Sequence, residues 1–134
     1  QIYKDLGYKK IAFSYGADYY NNIFPHPNPD LAKALGRVLN ITKLYEAGVI
    51  NKTDRIHLLG TACPFEFSLY KDMPFIESID TSNPIMCVID NVLYGDGIHT
   101  KPKSNMNNCF NVKEVDRELV KHNVNIFRSF VSNL

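Results

Sequence analysis

The residues of this chain best suited to chemistry are small or acidic ones that follow short apolar runs. Asp80 comes directly after the run at residues 75–79. A carboxylate in that place can serve as nucleophile, general base or metal ligand. Asp is equally common in turns, where its oxygen would accept the backbone N–H of Thr81 or Ser82. The residues alone leave both roles open. Gly60 follows the run Ile56–Leu59, and Ser14-Tyr15-Gly16 lies at the end of the run at 10–15. Each glycine allows either a close backbone approach to a ligand or a tight turn.

Other chemistries find little to stand on. The sequence has no G-x-G-x-x-G, no G-x-x-x-x-G-K-S/T and no G-x-S-x-G, which disfavours nucleotide phosphate loops and serine hydrolases. It has no Cys-x-x-Cys and no His-x-x-x-His, so a zinc site is not expected. His57, His99 and His122 are dispersed, and His57, near a strand start, reads as a hydrogen-bonded buried side chain rather than a catalytic one. Cys63 stands at a helix start, a place that can lower a thiol pKa, but no motif surrounds it and it reads as structural. Cys63, Cys87 and Cys109 are odd in number and widely spaced. That argues against a disulfide framework and for a reducing, cytoplasmic setting.

These residues need elements to hold them. Residues 1–7 read as a helix end with Gly7 as left-handed cap. Strands are expected at 10–15, at Ile56–Leu59 and at 75–79, with a further one at 85–89. Asn28-Pro29 starts a helix that shows Leu31, Leu35, Val38, Leu39, Thr42 and Tyr45 on one face and stops at Gly48. Pro64 opens a short helix carrying Phe67 and Tyr70. Residues 94–108 read as a loop. The closing helix places Val112, Val115, Leu119, Ile126, Phe127, Phe130 and Leu134 on one face, with His122-Asn123 as its weak point. Short apolar strands alternating with helices predict an α/β fold of parallel β-α units. Such folds carry their chemistry at the C-terminal ends of strands, so 14–16, 59–61 and 80–82 should share one rim.

The chain has 134 residues, 45% hydrophobic and 22% charged, with a formal net charge of +1. That is the size of a single α/β domain, and it excludes collagen-like, low-complexity and disordered classes. No apolar run is long enough for a membrane span, and the start does not look like a signal peptide. Charge is uneven: residues 1–59 carry +3, 60–100 carry −5 and 101–134 carry +3. An acidic middle between basic flanks suits a carboxylate cleft with a rim for a polyanion, and equally a scattered surface charge that cancels.

A resemblance gathers several of these residues. IHLLGTACPFEF (56–67), followed by FIESIDTSNP (75–84), resembles the tRNA-guanine transglycosylase family. In that family a strand ending in Gly precedes a Pro-started helix, and the next strand ends in the nucleophilic Asp with Pro four residues beyond. Leu59-Gly60, Pro64, Asp80 and Pro84 fall in that order. IAFSYGADY (11–19) resembles the family's base-binding strand end, and RELVKHNVNIFRSF (117–130) its closing His-Asn helix.

The resemblance implies the C-terminal half of a (β/α)8 barrel, so that residues 1–134 would be a fragment of a larger barrel domain of about 250 residues. It implies a pentosyltransferase that replaces guanine in tRNA or DNA by a 7-deazaguanine, the chemistry of queuosine formation, with Asp80 as the catalytic nucleophile. Ser14, Tyr15, Gly16, Leu59 and Gly60 would bind the base, and Lys101, Lys103 and Arg128 would meet phosphates. The family's zinc-binding Cys cluster and its later His are absent, so neither metal nor other cofactor is expected. The site would be completed by the missing barrel half or by a second copy. The alternative is a non-catalytic nucleic-acid-binding or assembly module on the same fold.

Overall fold

In the computed structural model, which describes residues 2–95 and 115–132, three short strands lie parallel in the order of the chain. They are β1 (Ile11–Ser14), β2 (Ile56–Leu59) and β3 (Ile76–Asp80). A short helix, α1 (Ile2–Asp5), precedes them, and the chain leaves it through Gly7 at φ 84°. Helices α2 (Tyr20–Ile23) and α3 (Pro29–Glu46) connect β1 to β2, and a 3-10 helix (Pro64–Tyr70) connects β2 to β3. Helices α4 (Asn83–Ile89) and α5 (Arg117–Val131) follow. The parallel α/β organisation anticipated from the apolar runs is present.

Helix α3 begins where its residues dictate. Asn28 Oδ1 accepts from the N–H groups of Asp30 (3.0 Å) and Leu31 (3.2 Å), and Pro29 occupies the first turn, where its missing N–H costs nothing. Its buried face matches the expected one only in part, Val38 and Tyr45 packing against the core. Ala32, Ala34, Gly36, Arg37 and Ile41 are buried, whereas Leu39 is exposed. Two neighbours account for this. Helix α2 packs so closely that a Cβ on Gly36 would run into the Tyr20 carbonyl. On the sheet side, a buried arginine interrupts the apolar stripe that periodicity follows.

Residues 85–89 form part of α4, not a strand. Five apolar residues carry no decisive period. The deciding signal is Pro84 in the first turn, with the Asn83 N–H taken by Thr81 Oγ1 at 3.1 Å. Helix α5 runs unbroken through His122-Asn123. Asn123 is buried and grips the backbone after α4: its Oδ1 accepts the Tyr94 N–H (2.9 Å) and its Nδ2 donates to the Val92 carbonyl (3.0 Å).

The two faces of the sheet have opposite characters. Ile11, Phe13, Ile56, Leu58, Ile76 and Ile79 join one core with Ile41 of α3, Phe67 and Tyr70 of the 3-10 helix, and Phe127 and Phe130 of α5. The alternate residues, Ala12, Ser14, His57, Leu59, Ser78 and Asp80, are exposed or half-buried and lie outside that core. A shift of register sets this pattern. Ile56 pairs with Ile76, but His57 pairs with Ser78, so Glu77 drops out of the ladder. Continued without that step, the register would set Ser78 opposite core-facing Leu58 and Ile79 opposite Leu59. The bulge instead puts Ile79 beside Leu58 in the core and turns Ser78 and Asp80 to the open face.

Candidate functional site

The parallel register carries Ser14, Leu59 and Asp80 to one line across the sheet. The segments that follow each strand wall a cleft of about 480 Å³, within the roughly 300–1,000 Å³ range of small-molecule sites. Ser14, Tyr15 and Gly16 come from the first strand end, Leu59, Gly60 and Thr61 from the second, and Asp80, Thr81 and Ser82 from the third. The shared rim anticipated from the sequence is therefore formed.

Asp80 is exposed at this rim, its side chain 57% accessible. Its Oδ1 accepts the N–H of Gly60 at 2.9 Å. The turn after β3 is held by a different residue. Thr81 Oγ1 donates to the Thr61 carbonyl (3.2 Å) and accepts the N–H of Asn83 (3.1 Å). Thr81 thus does the turn work that Asp80 would otherwise do, and the carboxylate is tied across the rim to the neighbouring strand instead. His57 Nε2 lies 3.4 Å from Asp80 Oδ1, and His57 Nδ1 lies 2.9 Å from Ser78 Oγ.

Behind the rim lies a second, fully buried acid–base pair. Arg37 Nε and a terminal nitrogen meet the two oxygens of Glu66 at 2.6 and 2.9 Å, with both side chains 0% exposed. The same guanidinium donates to the carbonyls of Phe13, Leu59 and Gly60 at 3.0, 3.2 and 2.9 Å. It therefore binds the ends of β1 and β2 to each other. Glu66 also accepts the Tyr70 hydroxyl (2.7 Å) and the Thr61 hydroxyl (3.3 Å). Burial disfavours both charges, but Glu66 beside Arg37 more than offsets it and raises the guanidinium's pKa. For Glu66 burial dominates and raises its carboxyl, with Arg37 pulling against it. Burial, then the Glu66 charge, holds the Tyr70 phenol well above its usual range.

The residues singled out for base contact differ in what they offer. Leu59, 44% exposed, gives the cleft an apolar wall. Ser14 Oγ accepts the Gly16 N–H at 3.2 Å, so that amide is engaged within its own turn. Tyr15 contributes its ring, with Arg37 stacked 5.3 Å from the centroid, while its hydroxyl donates to the Asp30 carbonyl at 2.7 Å. Burial, reinforced by Asp30, raises the Tyr15 phenol and keeps it neutral. Gly60 sits at φ 68° with both backbone groups in use, its N–H on Asp80 and its carbonyl on Arg37. Of the three expected phosphate contacts, Arg128 is exposed on α5 and does not line the cleft. Lys101 and Lys103 lie outside the described residues, as do His99 and Cys109. Cys63 and Cys87 are buried.

Sequence reasoning missed Arg37, Glu66, Thr81 and the pairing of His57 with Ser78. Glu66 had a signal: a lone carboxylate between two phenylalanines, two residues after the start of a short apolar helix, has no solvent face to occupy. Arg37 had one too, lying three residues after Ala34 and four before Ile41 on a single helix stripe. Among the described residues no group of three or more His, Cys, Asp and Glu side chains could hold a metal ion, and no helix is long and apolar enough to cross a membrane. Set against family models, curated proteins and solved structures, the chain finds no match.

Proposed function

We propose that this chain is a base-exchange glycosyltransferase domain in which Asp80 is the nucleophile. The observation that carries the reading is an exposed carboxylate at the junction of three parallel strand ends, relieved of turn duty by Thr81 and oriented by the Gly60 amide. Asp80 attacks C1′ of a nucleotide taken out of its stack. The C1′–N9 bond breaks, and guanine leaves with the electron pair. N9 of an incoming 7-deazaguanine then attacks C1′, expels the carboxylate and gives up its proton. Two displacements retain the sugar configuration. Leu59 offers the apolar surface on which a flipped base stacks.

The barrel part of the proposal draws support from strand order and from the faces of the sheet. A doubly wound sheet reverses its order and is covered on both sides. Here the order is sequential and, among the described residues, the core forms on one face, with the side chains of Ser14, Leu59 and Asp80 on the other. The outer edges of β1 and β3 pair with no described strand, which suits completion by further β-α units or a second copy.

The test is covalent trapping of guanine-containing RNA and DNA by the chain on a denaturing gel, together with exchange of labelled guanine. Asp80→Asn is expected to abolish both. Undiminished trapping by that variant sinks the reading. The strand edges, which pair with no described strand, favour a second reading, an assembly or nucleic-acid-binding module. It requires salt-dependent binding that survives Asp80→Asn without exchange, or oligomers in sedimentation with no nucleic-acid affinity.

A further inference from the structure

On the open face of the sheet a line of polar groups runs toward Asp80 from the opposite end of the strands. Lys10 Nζ donates to Ser78 Oγ at 3.1 Å. Ser78 Oγ lies 2.9 Å from His57 Nδ1, and His57 Nε2 lies 3.4 Å from Asp80 Oδ1. With the ring neutral, these contacts define where the protons sit. An ionised carboxylate only accepts, so Asp80 calls for a donor at the ring atom that faces it, while Ser78 Oγ accepts from Lys10 and can give its own hydrogen to His57 Nδ1. Nδ1 is then the acceptor, and the ring hydrogen is on Nε2, the atom facing Asp80. Oδ1 of Asp80 receives the Gly60 N–H as well, at 2.9 Å. Both groups converge on Oδ1, while Oδ2 takes no hydrogen bond from a described residue.

We infer that His57 is a positioning residue for Asp80: anchored by Ser78, it directs its Nε2–H at Oδ1 and leaves Oδ2 as the oxygen that attacks. The inference rests on the base-exchange reading for its chemistry. At 3.4 Å the pair is longer than a formed hydrogen bond, and catalytic contacts are often this long without substrate and tighten when it binds. The bulge at Glu77 is what makes the line possible, because it sets Ser78 opposite His57 and brings Asp80 to the same face. Misplacement of a nucleophile by about 1 Å can cost on the order of 100-fold in rate, which sets the scale of what His57 can contribute.

Two measurements test this. In the first, guanine exchange into tRNA and DNA is followed for His57→Phe and His57→Gln. The phenyl ring fills the space without donating, and kcat is expected to fall about 10- to 100-fold with KM unchanged. Glutamine, whose amide can donate from a similar place, is expected to recover most of the loss. A wild-type kcat in His57→Phe, or no recovery in His57→Gln, overturns the inference while leaving Asp80 as nucleophile. A wild-type chain that exchanges no guanine, or an Asp80→Asn variant that does, overturns the base-exchange reading and the catalytic role with it. In the second measurement, long-range proton–nitrogen spectra of the labelled full chain read the ring directly. The neutral ring is expected to carry its hydrogen on Nε2, with the preference weakened in Ser78→Ala and in Asp80→Asn. A ring with its hydrogen on Nδ1 overturns the positioning geometry, whatever the activity.

Discussion

Two carboxylates within reach of basic side chains, one on the rim of this sheet and one buried behind it, are used in opposite ways. Glu66 is sealed, with Arg37 and the Tyr70 and Thr61 hydroxyls around it and no exposed surface. Asp80 is open, with a backbone amide and an imidazole on one oxygen and 57% of its side chain accessible. In the sealed pair, water cannot compete and every lone pair has a partner, so the charges act as scaffold. In the open pair, one oxygen is held and the other takes no hydrogen bond from a described residue, which is what a reacting group needs. Gly60 joins them: its carbonyl accepts from Arg37 and its amide donates to Asp80. The scaffold thereby fixes the frame in which the open carboxylate sits.

The sealed side should be the most sensitive to damage. Arg37→Ala strands Glu66 without its cation and deprives three carbonyls of a donor. Loss of one partner of a buried pair typically costs about 3–5 kcal/mol, and a urea titration is expected to show a loss of that size. A loss under about 1 kcal/mol would mean that the knot does not hold the rim.

A smaller effect is expected at the joint. Gly60 has φ 68°, and among the described residues a Cβ there would meet only Tyr15 Cβ at 4.0 Å, so Gly60→Ala suffers conformational strain without a clash. That strain is about 1–2 kcal/mol. Because the same turn aims the amide at Asp80, exchange activity is expected to fall further than stability does. Equal, small losses in both would uncouple the two sides.

The sequence made the open side more legible than the sealed one, for a physical reason. Strands, the Asn28 cap, the glycine stops and the strand-end rim depend on local pattern and on turn chemistry, and those are written in neighbouring residues. The Arg37–Glu66 pair spans 29 positions and breaks the rule that charge faces water, so a hydrophobic stripe drawn through α3 chose Leu39 and passed over Arg37. Residues 85–89 suggest a strand because five apolar residues in a row carry no period, while the helix that contains them is marked only by Pro84 in its first turn. The bulge also left a mark: core residues Ile76 and Ile79 stand three apart, which strict alternation in a strand forbids. The contacts of His57 with Ser78 and Asp80 had no such mark, since these partners meet it only through that bulge.

The bulge residue itself gives the mildest way to separate the two sides. Glu77, left out of the ladder, takes Arg55 at 2.6 Å and also pairs with Lys10, the lysine that donates to Ser78. Arg55, then Lys10, hold its carboxyl down to about 2. A carboxylate whose pKa is lower folded than unfolded adds stability above its unfolded value, and this is lost as pH falls through the folded one. The wild type should therefore melt above Glu77→Gln at pH 6, and the difference should shrink below about pH 4.5 and vanish only below about pH 2. Both partners sit at the surface, so added salt should reduce the difference as well. Exchange kcat should drop only a few-fold in this variant, because the Ser78–His57 contact remains. A loss as deep as that of His57→Phe would show instead that Lys10, with its counter-ion gone, no longer holds Ser78 in line.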